Sequence, residues 1–153
     1  MYDVCERNEW GDPFSYARSR EIHMSILLKH TIASTYSGAD AIDDNGAAEY
    51  KTTIRDTISG SYRGISVQPT WEEQERYLIE EKIACYKNHY FARFEGSKIV
   101  ELYCLDGNAV LDILIPKLKK QYDRYQTSKP KDPRLNATVT KTEIYKYGRK
   151  IIG

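Results

Sequence analysis

Apolar positions early in the chain recur at helical spacing. Ile22, Ile26, Leu27 and Ala33 follow that period, and Asp12-Pro13 offers an N-cap with proline at the first helical position. This predicts a helix over residues 13–34. The period then shortens: Asn45-Gly46 stands between two short runs, which predicts a hairpin of strands over residues 39–43 and 47–58. Gly60 and Gly64 break the pattern beyond it, and Thr70 with Glu73 makes a capping box that opens a helix to about Tyr86. Residues 90–94 and 99–105, joined through Gly96-Ser97, predict a second hairpin. Residues 108–125 are helical in composition but carry Pro116, which is expected to kink or split the helix. After a loop at 129–133, residues 137–152 alternate β-branched residues and tyrosines with bases, are broken at Gly148, and suit a terminal hairpin. The order of elements argues an α/β (α+β) domain, one unit over residues 1–153, around a central sheet.

Composition narrows this further. The chain has 153 residues, 41% hydrophobic and 29% charged, and no apolar run approaching the roughly 20 residues of a membrane span. Met1-Tyr2-Asp3-Val4-Cys5-Glu6 has acids where a signal peptide has bases, so a cytoplasmic location is expected. Cys5, Cys85 and Cys104 cannot complete a disulfide framework and form no C-x-x-C pair; they are expected to be buried thiols. His23, His30 and His89 lack metal-ligand spacing and are expected to pack or to bond the backbone. The net charge of +1 hides an asymmetry, because residues 117–153 hold eleven Lys and Arg against three Asp and Glu. Such a split predicts a basic surface for a polyanion beside an acidic region, although a solvated Lys/Arg face has the same composition.

The chemistry concentrates at Asp40, Glu49 and Lys51. On a strand, Glu49 and Lys51 point to the same side, and the Asn45-Gly46 turn folds Asp40 back beside them. Two carboxylates and an ammonium then converge. Carboxylate oxygens are hard ligands suited to Mg²⁺, and an adjacent lysine can hold or deprotonate an attacking water at a phosphate. An acidic turn followed by a surface ion pair uses the same residues. The chain contains a second Glu-x-Lys, Glu80-Glu81-Lys82, on a predicted helix where residues two apart diverge, with no aspartate close upstream.

The run from Gly38 to Thr52, GADAIDDNGAAEYKT, resembles the active-site region of the PD-(D/E)XK nucleases, and within them the type II restriction endonucleases. The resemblance extends in order through the upstream helix, the second hairpin, the helix through residues 117–125 and the C-terminal segment, but only the stretch from Asp40 to Lys51 is specific. It implies a restriction-endonuclease-like fold, a central mixed sheet flanked by helices. It also implies a Mg²⁺-dependent, sequence-specific double-stranded DNA endonuclease with Asp40, Glu49 and Lys51 catalytic and Asp40 and Glu49 on the metal. No proline precedes Asp40, and its spacing to Glu49 is one residue short, which leaves Asp43 or Asp44 as a substitute. Glu21 is the candidate for the extra acid that some members take from the preceding helix.

Arginine and glutamine match guanine and adenine edges in the major groove. By the same resemblance, Arg63, Ser66 and Gln68, with Tyr62 behind them, are expected to contact bases, while the excess positive charge of the C-terminal third is expected to hold phosphates through Lys119, Lys120, Arg149 and Lys150. Cutting both strands needs two sites, so a homodimer is expected, with residues 13–34 at its interface; a tetramer would accompany the alternative of a homing endonuclease. The other alternative is a DNA-binding module without catalysis.

Overall fold

The computed structural model describes residues 2–10, 17–34 and 38–153. In chain order its elements are α1 (Tyr2–Arg7), α2 (Arg18–Leu28), β1 (Thr31–Ile32), β2 (Ala41–Asp43), β3 (Gly46–Thr53) and β4 (Gly60–Ser66). Then follow α3 (Trp71–Tyr77), a π-helical turn (Leu78–Lys82), β5 (Asn88–Glu95) and β6 (Lys98–Asp106). The chain ends with α4 (Gly107–Ser128), β7 (Arg134–Val139), α5 (Lys141–Tyr147) and β8 (Arg149–Ile152). Six strands form one sheet in the order β1-β2-β3-β5-β6-β8, in which β3 and β5 are parallel and every other pair antiparallel. This is a mixed α+β architecture with a central mixed sheet flanked by helices. No helix among the described residues is long and apolar enough to cross a membrane.

The sheet separates two apolar clusters. On one face, Met24 of α2 packs with Ala48, Tyr50, Tyr90, Ala92, Leu102 and Cys104. On the other, Phe91 and Leu105 meet Leu78, Ile83, the α4 residues Val110, Leu114 and Leu118, and Ile144 of α5. Strand periodicity assigns the faces: Ala48 and Tyr50 of β3 are buried toward α2, so Glu49 and Lys51 lie on the opposite side.

Several expectations need correction. The first helix is shorter than 13–34: Lys29 takes a left-handed conformation (φ 58°), its N–H bonds back to Ile26 and Ser25, and the chain turns into β1. The proposed cap at Asp12-Pro13 lies outside the described residues. Strand β3 stops at Thr53, whose Oγ1 accepts the Arg55 N–H and turns the backbone. Gly60 and Gly64, read as breaks, belong to β4, which pairs antiparallel with β7 in a separate two-stranded ribbon. Gly60 is required there by close approach, since a Cβ would stand 2.3 Å from the Phe91 ring. The Thr70 cap opens α3 as expected, but the α-helix ends at Tyr77 and gives way to the π turn.

Helix α4 is not split by Pro116. The proline is exposed while Val110, Leu111, Leu114, Leu118 and Tyr122 form an unbroken buried stripe, and that packing outweighs the lost hydrogen bond. The terminal hairpin is absent. Thr140 and Glu143 form a reciprocal capping box that nucleates α5, leaving β7 and β8 in different sheets.

Candidate active site

Asp40 enters just before β2. Its backbone N–H bonds Ala48 O at 3.1 Å, and its Oδ2 accepts the Tyr50 N–H at 2.8 Å, so the hairpin fixes the carboxylate against the Glu49-Tyr50 peptide. From Glu49 the strand alternation points into a cleft, and Lys51, two residues on, follows it. The Lys51 Nζ lies 2.8 Å from Glu49 Oε1 and 4.5 Å above the Tyr62 ring. These two side chains retain only 22% and 16% of their exposure, so the pair sits in a recess rather than on an open surface.

Burial raises the Asp40 carboxyl to about 7, and the Glu49 and Glu21 charges push the same way; the Tyr50 N–H and Lys51 oppose them without prevailing. The Glu49 and Glu21 charges thus both reach the Asp40 carboxyl. Glu21 is held by Arg18 at 3.1 Å, and Arg18 also donates to the Ala33 carbonyl at 2.9 Å and to the Trp10 carbonyl, which ties α2 to the strand approach.

Asp43 is spent elsewhere. It accepts from the Asn45 N–H, Asn88 and the Tyr90 hydroxyl at 2.8–2.9 Å, and although burial alone would raise its carboxyl, these donors hold it below the ordinary range. Asp44 is exposed. Of the upstream acids offered by the sequence, Asp40 is the one hydrogen-bonded to the Tyr50 N–H and under the charge of Glu49.

The cleft encloses about 170 Å³ and is lined by Glu49, Lys51, Tyr62, Arg63, Lys82 and Tyr86, among others. Its floor is a buried hydrogen-bonded chain. His89 donates from Nε2 to Ile83 O at 2.8 Å, which makes Nδ1 the acceptor for the Tyr62 hydroxyl at 2.7 Å, and the Tyr62 ring supports Lys51. Burial foremost holds the His89 imidazole neutral, with its pKa lowered to about 4. Tyr86 closes one wall by donating to Gly38 O at 2.7 Å, just upstream of Asp40.

The expected base-reading residues separate. Tyr62 is buried with its hydroxyl committed to His89, so it is cleft floor and has no surface for a base. Ser66 accepts from Arg134 at 2.7 Å through Oγ, and Gln68 folds onto its own loop, its N–H bonding Gln74 and its carbonyl accepting from Tyr122. Arg63 is exposed, with no side-chain hydrogen bond or ion pair among the described residues. It sits on a bulge where Arg63 and Gly64 oppose Asn136, and it borders both the cleft and a neighbouring groove with Asn136 and Thr138.

The basic C-terminal third is dispersed by the fold. Lys117 pairs with Glu143 at 2.7 Å, and Lys119 pairs with Asp123 at 2.5 Å while lying over Trp71; Lys120 is exposed. Arg149 pairs in register with Cys104, which faces α2, so Arg149 lies on the side of the sheet opposite Glu49 and Lys51; Lys150, beside Tyr103, lies on theirs. Cys5 and Cys104 are buried as expected but Cys85 is exposed. His30 bonds the Tyr50 hydroxyl at 2.7 Å and His23 packs edge-on to Phe94, in keeping with packing roles.

Sequence reasoning missed Lys82 and Tyr86. A usable signal existed for the lysine: Gln74, Leu78 and Lys82 are spaced by four, so an unbroken α-helix would bury a lysine, whereas Leu78 and Ile83 share the core only across a five-residue step.

Asp40 and Glu49 offer hard oxygen donors on a half-buried wall, with a raised carboxyl that a cation would relieve, and this donor chemistry fits Mg²⁺ with water and a phosphate completing its shell. Among the described residues no group of three or more His, Cys, Asp or Glu is arranged to hold a metal ion. No protein-family model matches the chain, and no curated protein matches it.

Proposed function

We propose that the protein is a Mg²⁺-dependent, sequence-specific double-stranded DNA endonuclease of the type II restriction class, on a restriction-endonuclease-like fold. The observation that carries this reading is the Glu49–Lys51 pair in one recess, the ammonium 2.8 Å from the carboxylate, with the buried Asp40 carboxylate held beside it by the Tyr50 N–H. The sequence resemblance to the PD-(D/E)XK nucleases singles out the same three residues.

Each side chain has a part. Asp40 and Glu49 would hold Mg²⁺, which when bound stabilises the charge that develops on the scissile phosphate. Lys51 has three N–H donors and commits one to Glu49, leaving others to orient the attacking water and a non-bridging phosphate oxygen. The Tyr62 ring keeps the ammonium over the cleft, and His89 keeps Tyr62 in place. Water gives up a proton to bulk solvent as its oxygen bonds phosphorus, the bond to the sugar oxygen on the far side breaks, and that oxygen leaves with a proton taken from solvent. Arg63, exposed at the cleft rim, is the residue suited to a base edge.

A cut in both strands takes two such sites, and the proposal includes a homodimer. Helix α2 supports it by exposing Ile26 at 65% and Leu27 at 43%.

The test is cleavage of supercoiled plasmid with Mg²⁺ by the wild type and by Lys51→Ala, followed by sequencing the ends cut from a randomised DNA pool. Cleavage by the wild type that is lost in the variant is expected. Equal cleavage by both removes the assignment, and salt-dependent DNA binding without cleavage would make the protein a binding module instead.

A further inference from the structure

The apolar spacing at the end of α3 decides where the second Glu-x-Lys points. Gln74 and Leu78 are fully buried and four residues apart, so another α-helical turn would carry Lys82 into the core. The backbone does otherwise. The Ile83 N–H bonds Leu78 O at 2.8 Å, five residues back, and Ile83 takes the buried position. The inserted residue rotates Lys82 out to the cleft wall. Turns of this kind are rare and recur at functional sites.

In the cleft the two lysines differ in what they already hold. Lys51 is paired with Glu49, whereas Lys82 is exposed and forms no ion pair among the described residues, although Glu80 and Glu81 precede it. Its nearest support is the Tyr77 ring, 5.7 Å away. Glu49, Lys51 and Lys82 all line this one cleft. A cleft lined by one carboxylate, Glu49, its paired Lys51 and two cations without an ion pair among the described residues, Lys82 and Arg63, has positive charge to spare for an anion.

We propose that Lys82 is a substrate-binding residue of this cleft, its ammonium holding a non-bridging oxygen of the DNA phosphate that faces Lys51. This deepens the nuclease reading and rests on it. The π turn is the device that supplies the charge: it moves a lysine from a buried helical position to the phosphate without opening the core.

The experiment compares wild type, Lys82→Ala and Lys82→Arg, with Lys98→Ala at the far hairpin turn as control. Three measurements are made: binding of a short fluorescent duplex across a salt series with Ca²⁺, binding of inorganic phosphate by NMR titration, and plasmid cleavage with Mg²⁺. Lys82→Ala is expected to flatten the salt dependence by about 0.9 in slope. It should also weaken phosphate binding and lower kcat/KM about tenfold to a hundredfold, with an unchanged melting temperature. Lys82→Arg should restore much of each loss, and Lys98→Ala should match the wild type. If the wild type cleaves DNA and Lys82→Ala keeps its slope, phosphate affinity and kcat/KM, the role of Lys82 is overturned and the nuclease reading stands. If the wild type cleaves nothing, the nuclease reading fails. The phosphate titration then decides Lys82 separately: loss of binding in Lys82→Ala retains it as an anion ligand, and equal binding removes it.

Discussion

Glu49-Tyr50-Lys51 and Glu80-Glu81-Lys82 are nearly the same tripeptide on two kinds of backbone, and they border one cleft. On β3 the two-residue period puts acid and lysine on the same face, where they bond each other at 2.8 Å and Asp40 is hydrogen-bonded to the peptide between them. On the π turn only Lys82 reaches the cleft, and Glu80 and Glu81 remain exposed. The strand delivers an acid-lysine unit; the helix delivers a lone cation. A motif of this length presents different groups on different backbones, an ion pair from the strand and a single cation from the π turn.

The largest effects should come from breaking the strand copy. Lys51→Ala or Glu49→Ala is expected to lower cleavage by about 10²–10⁴-fold or more with DNA binding largely kept. Glu80→Ala and Glu81→Ala should stay near wild type in a plasmid assay. Asp40→Asn should be as inactive as Lys51→Ala, whereas Asp43→Asn should cost turn stability, about 1–2 kcal/mol by urea unfolding, and leave the chemistry in place. A dead Asp43→Asn beside an active Asp40→Asn would move the motif by one turn of chain.

His89 joins the two copies, since it bonds Ile83 at the end of the π turn and Tyr62 beneath Lys51. Its pKa is about 4 in the folded protein against 6.5 for the free imidazole, because burial penalises the cation. Between those values the unfolded chain binds more protons than the folded one. The contribution is therefore fully present above pH 6.5 and is lost as pH falls toward 4, by about 3 kcal/mol in total. Urea unfolding of the wild type across this range should show the fall. In His89→Leu that part of the slope should vanish, and Lys51-dependent cleavage should weaken as Tyr62 loses its acceptor.

Legibility from sequence follows the range of the physics. The Asn45-Gly46 hairpin, the β5–β6 hairpin and the Thr70 cap were readable because each is fixed by residues a few positions apart. Asp40, Glu49 and Lys51 could be brought together for the same reason, by one turn and one strand period. The capping box at Thr140 and Glu143 was equally local and was overridden by an alternation of tyrosines and bases that is in fact one helix followed by one strand. What could not be read is long range: β4 pairs with β7 more than sixty residues away, and Gly60 is explained by the close approach of the Phe91 ring and Lys51 from the other sheet. The commitments of Tyr62 to His89 and of Ser66 to Arg134 are long range in the same way.

Smaller effects should come from the reading surface. Arg63→Ala is expected to cost about 1–3 kcal/mol of binding at the preferred site and to relax preference at one base pair, as read by the ends cut from a randomised pool. Ser66→Ala and Gln68→Ala should instead change stability and leave preference alone, because their polar groups bond within the fold. The converse result would mean that the β4 bulge rearranges on DNA.

The smallest expected effect separates two adjacent lysines of α4. Lys119 is engaged by Asp123 and the Trp71 ring, so binding a phosphate requires it to give up an ion pair, whereas Lys120 is exposed and uncommitted among the described residues. If this helix positions the duplex through phosphates, Lys120→Ala should flatten the salt dependence by up to about 0.9 and weaken all sequences alike. Lys119→Ala should do less, since the charge removed was already balanced in the free protein. Arg149→Ala, on the other face of the sheet, should leave the slope unchanged. Equal losses from all three would show that the basic third of the chain acts through its total charge, and unequal losses in this order would show that the fold has selected which of its cations meet the DNA.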